Sequence, residues 1–190
     1  MAYPRPQLGF RALIALVIFA STAHAQIFAD HSSALGLSLS GGPAAWCDAN
    51  CDAWPDLYCD GSLWINREGK AFTRVAIPGA GSGVVADLDN DGRGDVISFA
   101  PIAVLRNTGD GPDGLPTFAP IKLPELPPTS SRGAAVADFN ADGFPDLYIG
   151  GFEDWDKQTT FPSFLLLSNL GMSFTLAMTS PDFRARGVSA

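Results

Sequence analysis

Asp87-Leu-Asp89-Asn-Asp91-Gly-Arg-Gly-Asp95 places oxygen-bearing side chains at positions 1, 3, 5 and 9 of a nine-residue stretch. The same order of residue types returns in Asp48-Ala-Asn50-Cys-Asp52-Ala-Trp-Pro-Asp56 and in Asp138-Phe-Asn140-Ala-Asp142-Gly-Phe-Pro-Asp146. Alternate residues of a tight turn point the same way, so four such oxygens converge, and carboxylates held that close repel one another in water. A hard divalent cation removes the repulsion and prefers oxygen ligands. The three stretches are therefore expected to be Ca²⁺ loops rather than three unrelated polar turns.

Working outward, the first aspartates of the loops are spaced by 39 and then 51 residues. Each loop is flanked by strand-like pieces, one before it and three after. In the second unit these are Val84–Ala86, Val96–Phe99, Ala103–Arg106 and Thr117–Ile121, and in the third Ala134–Ala137, Leu147–Ile149, Phe164–Leu167 and Ser173–Leu176. The first unit offers Ala44–Trp46, Leu57–Tyr58, Leu63–Ile65 and Ala71–Val75. A second signature follows the third strand: Asn66 to Gly69 before Phe72, Asn107 to Gly109 before Phe118, and Asn169 to Gly171 before Phe174. Asn and Gly supply the backbone freedom of a hairpin turn, and the Phe returns an aromatic ring to the core. Four short strands per unit at this period indicate an all-β fold of β-propeller blades. The blades are expected at about 44–80, 81–128 and 129–180. The extra length in Gly109–Pro128 and Gly151–Pro162 is expected to form loops on the rim.

Of the twenty acidic residues, three, four and three lie in the successive loops, so the acidity is local. Residues 1–25 read as a cleavable signal peptide: Arg5 and Arg11, an apolar run from Ala12 to Ala20, and small residues ending at Ala25. That run is shorter than the roughly 20 residues a membrane span needs. Residues 26–43 form a lead-in. Removing the leader takes the formal charge from −8 to −10, and three Ca²⁺ would bring it to −4. Such a chain has no basic stripe for nucleic acid or an anionic membrane, and a secreted, extracellular or periplasmic, location is expected. Cys47, Cys51 and Cys59 lack the spacing and the histidine neighbours of a zinc site. Export permits one disulfide with one thiol left over, and the pairing stays open.

The units resemble FG-GAP/VCBS repeats, the blades of integrin-alpha-type β-propellers. Arg132-Gly-Ala-Ala-Val-Ala-Asp138 and Asn169-Leu-Gly-Met-Ser-Phe174 are most similar to repeats in proteins that carry an ASPIC/UnbV segment, the cartilage acidic protein-like group. No ASPIC segment is visible in this sequence, and the resemblance spans roughly 44–190. It implies calcium bound by the side chains at positions 1, 3, 5 and 9 and by the carbonyl of position 7. On this sequence those are Asp87, Asp89, Asp91, Asp95 and the carbonyl of Arg93; Asp138, Asn140, Asp142, Asp146 and that of Phe144; and Asp48, Asn50, Asp52, Asp56 and that of Trp54. In the first loop Ala53 stands where Gly92 and Gly143 stand in the others. If that position needs positive φ, alanine is strained by about 1 kcal/mol or more. An EF-hand reading of the same residues fails, because its position 12 needs a carboxylate and here holds Cys59, Ser98 or Ile149.

Other patterns carry less. Arg93-Gly94-Asp95 spells an adhesion tripeptide, but Asp95 is needed as a metal ligand and should face inward. Gly79-Ala-Gly81-Ser-Gly83 lacks the lysine and the helix of a phosphate-cradling loop and reads as a flexible lead into a blade. His31, the only histidine after the leader, sits in a stretch expected to be loose, and no catalytic set assembles around it. The chain is thus expected to be an exported calcium-binding propeller segment for interaction, adhesion or scaffolding, with a protein or glycan partner and no enzymatic activity. The alternative is the propeller portion of a longer secreted hydrolase or lyase. Closed propellers have about four to eight blades, whereas three loops are present. Arg186-Gly-Val-Ser-Ala190 repeats the lead-in Arg132-Gly-Ala-Ala-Val136. The start of a fourth blade is therefore expected at 184–190, either in a truncated sequence or in a three-blade protein that self-associates to close the ring.

Overall fold

The computed structural model describes residues 29–39 and 41–181. The chain divides into residues 1–30 and 31–190. Of the first part only Ala29 and Asp30 are described, so the expected leader lies outside the described residues, as does the expected start of a fourth blade at 184–190.

Among the described residues the fold is all β. Strands β1 (Ala44–Cys47), β2 (Asp56–Cys59), β3 (Ser62–Asn66) and β4 (Phe72–Ala76) form a first antiparallel meander. A second comprises β5 (Ser82–Ala86), β6 (Asp95–Ala100), β7 (Ile102–Asp110) and β8 (Pro116–Ile121). The third begins with β9 (Ser131–Ala137) and β10 (Asp146–Gly151), is interrupted by a hairpin of β11 (Glu153–Asp154) and β12 (Thr159–Thr160), and resumes with β13 (Ser163–Asn169) and β14 (Ser173–Ser180). Each acidic loop joins strand one to strand two of its sheet. Neighbouring sheets meet mainly through their first two strands, β1 and β2 against β5, and β5 and β6 against β9. Three four-stranded sheets arranged in this way, with no closed barrel, are blades of an incomplete propeller.

Period-two alternation explains the stacking. In β6 and β7 of the central sheet, Val96 and Leu105 pack toward the first sheet with Tyr58, Leu63 and Ile65. Their chain neighbours Ile97 and Val104 pack toward the third with Leu147, Ile149, Phe164 and Leu166. The same rule runs through all three second strands. The residue after the loop's last aspartate (Leu57, Val96, Leu147) faces the preceding sheet's side, and the next one (Tyr58, Ile97, Tyr148) faces the following side. Among the described residues the central sheet contributes to both core clusters, one on each face.

Three expectations are corrected. Gly81 and Gly83 are not flexible: a Cβ at Gly81 would lie 2.2 Å from the Ala100 carbonyl oxygen, and one at Gly83 2.4 Å from that of Ile97. These glycines permit backbone contact with β6, and the Gly81 carbonyl also accepts from Gly61 N at 3.0 Å. Nor is the stretch around His31 loose, since Leu35 O accepts from Phe72 N at 2.8 Å at the start of β4. The stretch Gly151–Pro162 is more than a rim loop, because it contains the β11–β12 hairpin.

Gly171, in the turn between β13 and β14, has φ +70°, and a Cβ there would lie 2.5 Å from the Cα and Cβ of Asp89 and from the Leu88 carbonyl oxygen. Gly109, at the corresponding corner of the second sheet, has φ +90° and open space around it. Gly109→Ala is expected to cost the left-handed strain alone, about 1 kcal/mol, and Gly171→Ala clearly more, in denaturant unfolding. Equal losses would show that the third sheet's corner does not bear on the second loop.

Candidate metal centre

The three loops fold to one pattern of hydrogen bonds. The aspartate at position 1 accepts with one oxygen from the backbone N of position 5 and with the other from that of position 6. In the second loop these are Asp91 N to Asp87 Oδ1 at 3.1 Å and Gly92 N to Asp87 Oδ2 at 2.8 Å. Asp48 and Asp138 do the same for Asp52 and Ala53 and for Asp142 and Gly143. The position-5 carboxylate accepts from the backbone N of position 7, which is Trp54, Arg93 or Phe144, at 2.8–2.9 Å. This geometry needs left-handed backbone at position 6, and Ala53 adopts it with φ 66°, beside Gly92 at 90° and Gly143 at 91°. Position 4 is left-handed as well, at Cys51, Asn90 and Ala141.

The aspartate at position 9 is buried in every loop, Asp56 and Asp146 at 0% exposure and Asp95 at 1%. One oxygen accepts from the backbone N of position 2 and the other from the backbone N at the end of strand three. Asp95 takes Leu88 N at 2.9 Å and Asn107 N at 2.7 Å; Asp56 takes Ala49 N and Asn66 N; Asp146 takes Phe139 N and Ser168 N. The acid of Arg93-Gly94-Asp95 is thereby sealed from any receptor. The third-strand signature also shifts by one residue in the third blade. Ser168, not Asn169, occupies the place of Asn66 and Asn107, and its hydroxyl accepts from Gly171 N at 2.9 Å.

The second loop brings carboxylates together: one oxygen each of Asp87, Asp89 and Asp95 lie within 4.8 Å of one another. The Asp89 side chain is 7% exposed and its Oδ2 stands 2.7 Å from Arg106 Nε, while its Oδ1 is buried without a hydrogen-bond donor. Burial pushes the Asp95 carboxyl up to about 6 against the two backbone donors that lower it, with Asp89 and Asp91 adding to the rise. Burial also raises Asp56. Asp91 turns its second oxygen to Arg93. In the other loops position 3 is Asn, and the amides of Asn50 and Asn140 donate to Asp52 and Asp142 at 2.9 and 2.8 Å. Asn50 Oδ1 is buried without a partner, so the first loop also holds an acceptor with nothing to accept.

The first and second loops are each tied to the next sheet. The position-4 side chain donates to the position-6 carbonyl of the following loop, Cys51 Sγ to Gly92 O at 2.8 Å and Asn90 Nδ2 to Gly143 O at 2.9 Å. Position 2 lies beneath the following sheet's corner. Asn107 Nδ2 reaches Ala49 O at 2.9 Å, and Ala49 and Leu88 are buried at 1% and 0%. In the third loop, the last among the described residues, the position-2 residue Phe139 is 49% exposed. Arg106 and Asn107 were not among the site residues expected from sequence. The alternation that puts Asn107 at the end of a third strand was visible, but its reach into the preceding loop was not.

The cysteines differ from expectation, since all three are free thiols. On the paired strands β1 and β2, Cys47 lies opposite Asp56 and Cys59 opposite Ala44, three residues along, or about 10 Å. That exceeds the Cα separation a disulfide spans. Cys51 points its thiol at Gly92 instead. Burial, with Asp56 and Asp48 adding to it, pushes the Cys47 thiol up to about 12.

Residues 87–149 match the model of an FG-GAP-like repeat. The match runs from the first aspartate of the second loop through the third loop into β10, so the chain carries an FG-GAP-like repeat and its blades are those of a propeller-like repeat domain. No curated protein matches the chain.

Ala53 supplies a direct check on loop strain. Ala53→Gly should stabilise the protein by up to about 1 kcal/mol, the left-handed penalty of alanine partly offset by glycine's greater freedom when unfolded. A loss of stability in denaturant unfolding would show that the first loop does not need that backbone conformation.

Proposed function

We propose that this chain is an exported β-propeller repeat domain whose acidic loops bind Ca²⁺ and whose rigid surface serves interaction, adhesion or scaffolding rather than catalysis. The observation that carries the reading is the second loop. Asp87, Asp89 and Asp95 converge within 4.8 Å, and the Asp89 Oδ1 atom has no donor. Ca²⁺ takes oxygens at about 2.3–2.6 Å, so ligands on opposite sides of one ion stand about 5 Å apart. The carboxylates therefore fit a Ca²⁺ sphere without a change of chain path. The hydrogen bonds to Asp87 and Asp95 leave a lone pair on each oxygen.

The ligands proposed are the side chains at positions 1, 3, 5 and 9 with the carbonyls of Trp54, Arg93 and Phe144. When bound, the ion supplies charge neutralisation and a fixed turn; it is held by hard oxygens and offers no acid–base group of its own. What these residues do is hold strand one to strand two, which stiffens hairpins that are marginal alone. The leader-like residues 1–25 support export. A free calcium level suited to loops of this kind, about 10⁻⁴ to 10⁻³ M, is that of extracellular modules. The partner proposed is a protein or a glycan, and self-association through the outer faces of the first and third sheets is the proposed way to close the ring.

The second loop, with four carboxylates and Gly92, should bind most tightly, the third next, and the first, with Ala53, least. Calcium at ten times its dissociation constant adds roughly 1.4 kcal/mol per site, so thermal melting should rise with Ca²⁺ and fall with a chelator. Asp89→Asn, which gives the second loop the ligand set of the other two, and Asp91→Ala should each remove more of that rise than Asp52→Ala. Identical melts with ion and chelator would overturn the calcium reading, and the reverse order of variants would overturn the ranking.

A further inference from the structure

The second loop differs from the other two in charge. Position 3 is Asp89 where the first and third loops have Asn50 and Asn140, and position 7 is Arg93 where they have Trp54 and Phe144. A further charged difference lies outside the loop, just before the corner that ends strand three. The corner residues Asn66, Asn107 and Ser168 are matched by their backbone N–H groups, which all donate to a position-9 aspartate. The residues preceding them are Ile65, Arg106 and Leu167. A carboxylate at position 3 thus occurs with a guanidinium on strand three, and an amide at position 3 with an aliphatic side chain.

Geometry joins these changes. Arg106 Nε stands 2.7 Å from Asp89 Oδ2, and the two side chains are 31% and 7% exposed. The approach is one of charge rather than of a directed hydrogen bond, because the Nε–H has no aligned acceptor. Nη1 donates instead to Met172 Sδ at 3.2 Å, in the corner turn of the third sheet. That same turn presses on the loop at Gly171, where a Cβ would lie 2.5 Å from the Asp89 Cα. Arg106 is therefore held beside one oxygen of Asp89 from two sheets, while the other oxygen, Oδ1, is buried without a donor. Asn50 and Asn140 need no such partner, since their amides donate to the position-5 carboxylates. Asp89 has no amide to give, and in the second loop Arg93 donates to Asp91 in its place.

A carboxylate this deeply buried loses most of its hydration and needs a counter-charge. The same positive charge opposes a second cation at the neighbouring oxygen. A unit and a double charge about 6–7 Å apart at a hydrated surface repel enough to change binding about three- to tenfold once salt is included.

We propose that Arg106 is the built-in counter-charge of the second loop: it stabilises Asp89 in the ion-free loop and holds the affinity for Ca²⁺ below what four carboxylates alone would give. The inference rests on the calcium reading above and adds the residue that regulates that site. Arg106 is not a ligand; it acts through Asp89. Were its role to orient Asp89 toward the ion, its removal would weaken binding, so the sign of the effect separates the two roles.

The test replaces Arg106 with Leu, the residue at that place in the third blade, and with Lys, which keeps the charge. The full chain and its variants are titrated calorimetrically with Ca²⁺, and their thermal melts are recorded in chelator and in Ca²⁺. Arg106→Leu should tighten the strongest site about three- to tenfold and lower the melt in chelator by about 2–4 °C. Arg106→Lys should stay within about twofold of the parent in affinity. In an Asp89→Asn background, Arg106→Leu should again tighten binding but cost nothing in chelator, because no buried carboxylate is left to neutralise. Calcium binding that is unchanged or weaker in Arg106→Leu, with the parent's response to calcium intact, would overturn the proposal and leave the calcium reading standing. An equal loss in chelator in both backgrounds would also overturn it, by showing that Arg106 serves packing alone. A parent melt identical in ion and chelator would remove the calcium reading and this proposal with it.

Discussion

The buried aspartate at the end of each acidic loop is the point on which the blade depends. Asp56, Asp95 and Asp146 each hold three chain segments at once: the start of strand two, which carries the residue, the loop through position 2, and the end of strand three. A carboxylate at 0–1% exposure loses its water, a cost of several kcal/mol unless the charge is satisfied. Two backbone donors per residue supply part of that satisfaction, and charge-assisted bonds of this kind are stronger than neutral ones. They do not supply all of it, because burial still raises Asp56, and pushes Asp95 up to about 6. The loop thus holds negative charge in tension with its own burial. The residue that organises the blade is also the one that gains most from a nearby cation.

The loops are not independent of one another. Position 4 of one reaches position 6 of the next, and position 2 of one is roofed by the next sheet's corner, through Asn107 over Ala49 and Gly171 against Leu88 and Asp89. The first and second loops are therefore each built half by their own blade and half by its successor. The third loop has only its own half among the described residues, and the consequence is visible in Phe139, exposed at 49% where Ala49 and Leu88 are buried. Tyr148 and Leu165, paired across β10 and β13, lie on the face that looks away from the second sheet. In the central sheet the equivalent face is filled by Leu147 and Phe164 of its neighbour.

Features set within one repeat were legible in the sequence. All twelve blade strands were readable, because Asp at position 9 followed by a short apolar run recurs three times and the alternation on either side has period two. The strain at Ala53 was readable too, since its partners in the other loops are glycines and its φ is indeed positive. What escaped were relations between repeats and features present in only one. Asn107 looked like a turn residue, yet its amide crosses to the preceding loop. Ser168 replaces the asparagine of the other corners because its hydroxyl can do the same local work, so counting from Asn169 set the corner one residue late. Cysteine number suggested a bridge, but strand register separates Cys47 from Cys59. The Gly-rich stretch before β5 looked mobile from composition, whereas its glycines are demanded by contact with β6.

The two ends of the third blade follow different physics. At the loop end, backbone amides and carboxylates converge on the site proposed for Ca²⁺. At the hairpin end, side chains of the hairpin and of the start of β9 line an open cleft. Strands β10 and β13 lie between them, and a strand of five to six residues spans about 17–20 Å, beyond the Debye length of about 10 Å at moderate salt. Charge at one end is therefore screened from the other, and any coupling must pass through the stiffness of the sheet. A blade of this kind can vary in the connection between its second and third strands while its loop and its buried aspartate stay fixed. Among the described residues the third sheet carries the hairpin and the other two do not, although all three share the acidic loop and its buried aspartate.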